Sequence, residues 1–237
     1  MKALILAAGR GTRISRYLSG NPKCTVDIGN RKLIQYTIDL LNSRGIYDIG
    51  IVLGYRYEII KKLLDSRNIE FYYNPFFDVT NSIASAWFAR TFLQGDDILI
   101  MNGDVFIEEG ILDDILSTQM TPVMFADETR KDEADYKFYY ENLILKKYGK
   151  ELSGNEISGE YVGIAKMDKE FLPCFCKRME EMINSQQHSV WWENVLYSMT
   201  DEQDIHICEV KGKFWAEVDY VEDYERITKF IKENLQI

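Results

Sequence analysis

The chain has 237 residues with a net charge of -10; 46% of them are hydrophobic and 13% aromatic. That is enough apolar material for one large core, and the composition gives no sign of disorder. The acidic balance excludes a general nucleic-acid binder or a protein held on an anionic membrane surface. Four cysteines, with only Cys174 and Cys176 close together, and two histidines do not make a zinc site. They are expected to be reduced and mostly buried thiols. The apolar run at the N-terminus is too short for a membrane span or a signal peptide, so a cytoplasmic location is expected.

Taken in chain order, Lys2 to Ala8 predicts a buried strand. Leu33 to Ser43 carries apolar residues at helical spacing and stops at Arg44-Gly45, a helix exit. Asp48 to Gly54 reads as a strand, Tyr57 to Leu64 as a helix, and Ile69 to Tyr73 as a short strand closed by Asn74-Pro75. Thr80, Asn81 and Ser82 offer caps for a helix over Ile83 to Leu93. Asp97 to Met101 is a further strand, ending in Asn102-Gly103-Asp104.

Residues 130–167 look strand-rich, with Glu141-Asn142 as a turn, and are expected to form an antiparallel patch over the sheet. Glu170 to Ile183 and Ser189 to Met199 predict helices. Ile205 to Val210 and Phe214 to Val218 predict strands, and Val221 to Leu235 a closing helix. Alternating strands and helices imply a single α/β domain, Rossmann-like, with a mostly parallel mixed sheet flanked by helices. In such sheets ligands bind at the carboxyl ends of the strands. The loop after the first strand and Asp104 should therefore converge.

That loop, Ala7-Ala8-Gly9-Arg10-Gly11-Thr12-Arg13, is followed by Pro22-Lys23. Its small residues admit a large ligand close to the backbone. Its amides form an anion-binding concavity, to which Arg10, Arg13 and Lys23 add fixed charge. The third glycine of a dinucleotide fingerprint is absent, and so is a Walker loop. Among carboxylates suited to Mg²⁺, Asp104 and then Asp219 are the best placed, though each also suits a turn or a helix cap.

The segment Leu4 to Arg13 with Pro22-Lys23 resembles the signature of the nucleotidyltransferases that make NDP-sugars and CDP-alcohols. It is most similar to the branch typified by CTP:phosphocholine cytidylyltransferases. Trp215, Glu217, Val218, Asp219 and Asp223 match that family's late W-x-E-[VI]-D-x-x-x-D segment, and Gly103-Asp104 its GD strand end. The resemblance implies a glycosyltransferase-A-like fold and Mg²⁺ held by Asp104 and Asp219. It implies a catalytic set of Lys23, Arg13 and Asp104, with Ala7, Ala8, Gly9, Gly11 and Thr12 around the phosphates. Asn74 to Ser85 resembles the family segment beside the pyrimidine, which places Asn81, Ser82 and Ser85 at the base and favours CTP.

The expected partners are thus CTP and a small phosphorylated acceptor, with phosphocholine the first guess, and the protein is expected as a monomer or homodimer. Quaternary ammonium groups bind to aromatic faces and carboxylates. Glu160, Tyr161, Trp192, Glu193, Trp215 and Glu217 are the acceptor candidates, although several of these aromatics must be core. Adjacent Trp191 and Trp192 cannot both face one pocket. Phosphoglutamine or another CDP-alcohol precursor would suit the same residues. A sugar-1-phosphate enzyme using UTP or dTTP, and a non-catalytic nucleotide-binding regulator, are the other readings.

Overall fold

The computed structural model describes residues 1–11, 13–14 and 17–234; Thr12 and the expected end of the last helix at Leu235 lie outside them. The first strand, β1 (Lys2–Ala7), is buried beyond its first residue and runs parallel to both β2 (Ile49–Leu53) and β4 (Ile98–Asn102). Its side chains alternate between two cores. Ala3, Ile5 and Ala7 pack into one, and Leu4 and Leu6 into the other. A strand buried on both faces reads as a continuous apolar run, which is what residues 2–8 are.

The first core holds α1 (Leu33–Ser43), α4 (Glu109–Ser117) and the closing α7 (Val221–Asn234). The second holds α3 (Ser82–Phe88) and α5 (Leu172–Asn184). The short α2 (Tyr57–Leu63) links β2 to the edge strand β3 (Glu70–Tyr73). The chain leaves β1 toward β2 and β3, then returns to lay β4 on β1's other side. This reversal opens a crevice at the carboxyl ends of β1 and β4.

The expected α/β architecture with a mixed sheet is borne out, and among the described residues the sheet has nine strands. One expectation is corrected. Residues 130–167 do not lie over the sheet; they join it. β7 (Lys137–Glu141) and β8 (Ile144–Gly149) extend one edge, turning at Asn142 and Leu143. β9 (Gly159–Met167), buried at all nine positions, runs antiparallel between β4 and β6 (Val123–Asp127). β10 (His206–Glu209) pairs parallel with β6.

A separate two-stranded antiparallel sheet joins β5 (Val105–Ile107) to β11 (Trp215–Glu217). The sequence reading leaves β5, α4 and β6 unassigned, because short apolar runs show no period that separates strand from helix. The expected helix over 189–199 shrinks to α6 (Asn194–Tyr197). Of the cysteines only Cys24 is buried, and all four are free.

Candidate active site

A cleft of about 470 Å³ opens at the carboxyl ends of β1 and β4. This is within the ordinary range for small-molecule sites. Ala7, Ala8, Gly9, Gly11, Arg13, Pro22 and Lys23 line one end. Gly11 has φ +60, and a Cβ there would sit 2.6 Å from the Lys23 side chain. The loop therefore passes over Lys23 only because it carries no side chain at that point.

Lys23 follows Pro22 in a single 3-10 turn, and its ammonium donates to Asp104 at 3.0 Å and also to Asp219. Arg13 donates to the other Asp219 oxygen at 2.5 Å. Burial pulls the Lys23 pKa down, but Asp104 and Asp219 outweigh it and hold the ammonium above its ordinary value. The neighbouring Asp219 raises Arg13 as well.

The two aspartates are distant in sequence, and the small sheet joins them. Val105 pairs with Glu217, and the Val218 amide donates to the Asp104 carbonyl at 2.9 Å. Residues just outside that pair of strands must then lie side by side at the cleft. Glu217 also lines it. Burial first, then Asp104 and Asp219, push its carboxyl well above the usual range.

Two carboxylates that converge on one ammonium are a hard oxygen pair of the kind that suits Mg²⁺. Among the described residues no group of three or more His, Cys, Asp or Glu side chains gathers to hold a metal. Mg²⁺ keeps several waters and takes one or two carboxylates plus phosphate oxygens, so Asp104 and Asp219 fit it.

The middle of the cleft carries Asn74, Phe77, Thr80, Asn81, Ser82 and Ser85. Asn81 caps α3 by accepting from the Ser82 amide at 2.8 Å, and the Ser82 hydroxyl accepts from the Trp192 amide at 2.9 Å. The buried Asn74 donates to Thr80 at 3.1 Å and Ser85 at 3.0 Å, and accepts from the Phe76 amide. The three residues expected near the base therefore line the cleft, Asn81 bonded to Ser82 and Ser85 bonded to Asn74. Asn74, outside the expected set, ties Ser85 to Thr80 and the Phe76 amide.

The acceptor side, which adjoins the phosphate site because Glu193 and Glu217 lie near Asp104, corrects half of the acceptor set. Tyr161, Glu193 and Glu217 line the cleft; Glu160, Trp192 and Trp215 do not. Trp192 is fully buried and donates from its indole to Asn102 at 3.0 Å. Trp191, its neighbour, faces the cleft instead. Trp215 donates to Asp127 at 2.8 Å inside the core. Glu160 accepts from Arg130 at 2.8 Å and from the Asp135 amide at 2.8 Å. It thereby pins the loop that delivers Asp135 and Tyr136 to the cleft wall.

Asn102, Tyr136, Trp191 and Tyr197 are lining residues absent from the sequence-based set. Only Trp191 carried a signal, as the alternative to Trp192. Glu193 sits deep at this end and accepts from Asn102 at 3.3 Å. Burial pushes its carboxyl up to about 7.

The MobA-like NTP transferase domain family matches residues 3–184. A CTP:phosphoglutamine cytidylyltransferase of Campylobacter jejuni is 25% identical, over 95% of this chain and 98% of its own length. A choline-phosphate cytidylyltransferase of Streptococcus pneumoniae is 24% identical over 98% of this chain and 99% of its own. Among solved structures, the inositol-1-phosphate CTP transferase from T. maritima superposes with a TM-score of 0.80 at 18% identity. It covers 100% of this chain and 98% of that one, which shows the same fold.

Proposed function

This chain belongs to the MobA-like NTP transferase family, and on that premise we propose that it transfers CMP from CTP to a small phosphorylated, amine-bearing acceptor, with Mg²⁺ as cofactor. Phosphoglutamine and choline phosphate, named in its relatives, are the first two acceptors to test. One observation carries the reading. A single cleft holds Lys23 between two aspartates beside the glycine loop, and a buried carboxylate among tyrosines at its other end.

The chemistry needs no activated side chain, because a phosphomonoester is largely dianionic at neutral pH. An oxygen of that phosphate attacks the α-phosphorus of CTP in line. The new P–O bond forms as the bond to the β-phosphate's bridging oxygen breaks, and pyrophosphate leaves. Lys23, released from its aspartates, neutralises the α-phosphate and the incoming phosphate. Arg13 and the loop amides hold the β- and γ-phosphates. Mg²⁺, bound by Asp104 and Asp219, would supply further charge neutralisation at the polyphosphate. Asn81, Ser82 and Ser85 bound the space for the base.

The test is pyrophosphate release with and without Mg²⁺, crossing CTP, UTP and dTTP against choline phosphate, phosphoethanolamine, phosphoglutamine and glucose-1-phosphate. Release confined to CTP, Mg²⁺ and an amine-bearing acceptor is the expected outcome. Release with UTP or dTTP and the sugar phosphate would overturn it.

A further inference from the structure

Within the acceptor end, the hydroxyls of Tyr161 and Tyr197 are buried and have no hydrogen-bond partner among the described residues. The two side chains are 8% and 2% exposed, and both line the cleft. Glu193 lies within reach of the Tyr161 hydroxyl and Tyr136 within reach of the Tyr197 hydroxyl, but neither pair closes a well-formed hydrogen bond. Burying a hydroxyl without a hydrogen-bond partner is costly. Two of them facing one cavity next to a buried carboxylate mark a place where a ligand completes the bonding.

The rings point to the same conclusion. Tyr197 is stacked against Tyr148 at 4.0 Å between centroids and lies parallel to Tyr136 at 5.9 Å. Tyr161 packs on Phe138 at 5.1 Å and against Tyr136 at 6.5 Å. Both faces of Tyr197 are taken up by other rings and Tyr161 packs against Phe138, and the hydroxyls of both are left for the ligand. A quaternary ammonium seeks open faces and has no N–H to donate. A primary ammonium donates up to three hydrogen bonds, and Glu193, Tyr161 and Tyr197 supply three acceptors.

We propose that this end of the cleft selects an acceptor whose head group carries N–H donors, a primary ammonium, over a trimethylammonium. The inference rests on the cytidylyl-transfer reading and narrows its substrate class. The ammonium donates to the Glu193 carboxylate and to the two phenol oxygens, and Trp191 closes the open side.

The experiment is a kcat/KM series with CTP and phosphoethanolamine, its N-methyl and N,N-dimethyl derivatives and choline phosphate, on the wild-type chain and on Tyr161→Phe and Tyr197→Phe. Efficiency should fall with each added methyl. Each Tyr→Phe change should cost the primary amine about tenfold, the equivalent of one lost hydrogen bond to a charged donor. It should cost choline phosphate less than about twofold, since a trimethylammonium makes no such bond. Thermal melting of the variants separates a folding defect from a lost contact.

Equal or better use of choline phosphate by the wild type would overturn the inference and leave the cytidylyl-transfer reading standing. So would Phe variants that slow every acceptor alike at an unchanged melting temperature. No release with any amine phosphate, while CTP still raises the melting temperature, would overturn the inference together with the amine-bearing reading of the acceptor.

Discussion

The two ends of the cleft are built on opposite principles. At the phosphate end every charge has a partner. Lys23 and Arg13 are engaged by Asp104 and Asp219, and burial with those aspartates holds the Glu217 carboxyl well above its usual range. At the acceptor end Tyr161 and Tyr197 have hydroxyls without partners, and Glu193 is held by one long bond from Asn102. The first arrangement is a self-neutralised cluster, ready to exchange internal pairs for phosphates and a cation. The second is an incomplete hydrogen-bond set that a ligand finishes. Electrostatic stabilisation of phosphoryl transfer is generic to the reaction, whereas acceptor choice resides in the unsatisfied groups.

The largest effect expected from separating the two ends is at Lys23. Lys23→Ala should lower kcat by about 10³-fold, the scale of one lost charge-stabilising donor, while the far-ultraviolet circular dichroism is unchanged. A kcat within a few fold of wild type would remove Lys23 from the chemistry.

Gly163→Ala comes next and acts through the fold. Gly163 has φ +84, and a Cβ would meet Val105 at 2.8 Å and the Asn102 amide at 3.2 Å. The strain should cost about 1–3 kcal/mol in denaturant unfolding. It should raise the acceptor KM through Asn102 more than the CTP KM.

Glu193→Gln should raise the acceptor KM about tenfold, the loss of one charged hydrogen bond, and leave the CTP KM near wild type. It should also change a pH profile. The Glu193 carboxyl lies near 7, raised first by burial and with Asp104 among its neighbours, while the bond from Asn102 favours its ionised form. It is therefore protonated below that pH and ionised above it. An ammonium needs the ionised form, so wild-type kcat/KM for the acceptor should climb from pH 6 to pH 8. The acceptor phosphate also titrates near pH 6. Only the part of the rise that Glu193→Gln abolishes belongs to the carboxylate.

The smallest catalytic effect is expected at Trp215. Trp215→Phe removes the bond to Asp127 and should cost about 1–2 kcal/mol of stability. It should leave both KM values within twofold. A specific loss of acceptor affinity would return Trp215 to the pocket and break the division between the two ends.

How much was legible in the sequence follows the same division. Helix α1 begins and ends where its apolar period and the Arg44-Gly45 exit place it. The glycine loop, Lys23, Asp104 and Asp219 all line the cleft as expected, the loop and Asp104 because they follow strand ends, Lys23 and Asp219 on the strength of the family resemblance. Glu160 was misplaced because successive side chains on β9 face opposite sides, and composition does not say which side is the cleft. Trp215 shares the face of Glu217 on β11 but sits two residues further from the cleft, where Asp127 takes its indole. Trp192 was misplaced because residues 189–193 are not helical, so no period set its direction.

By itself, the sequence determined the strand–loop–helix order, the burial of β1 on both faces and the residue types of the phosphate end. These are local properties: a run of apolar residues, a loop without side chains, and a charge after a strand. Only the tertiary structure decided that β9 enters the sheet between β4 and β6 and that β5 pairs with β11 to bring Asp104 beside Asp219. It alone brought Tyr161 of β9 against Glu193 and Tyr197, which the single turn of α6 carries together, at one side of the cleft. Each of these depends on which strand pairs with which. Long-range pairing is set by the summed burial of the whole sheet, and no short window of residues carries that sum.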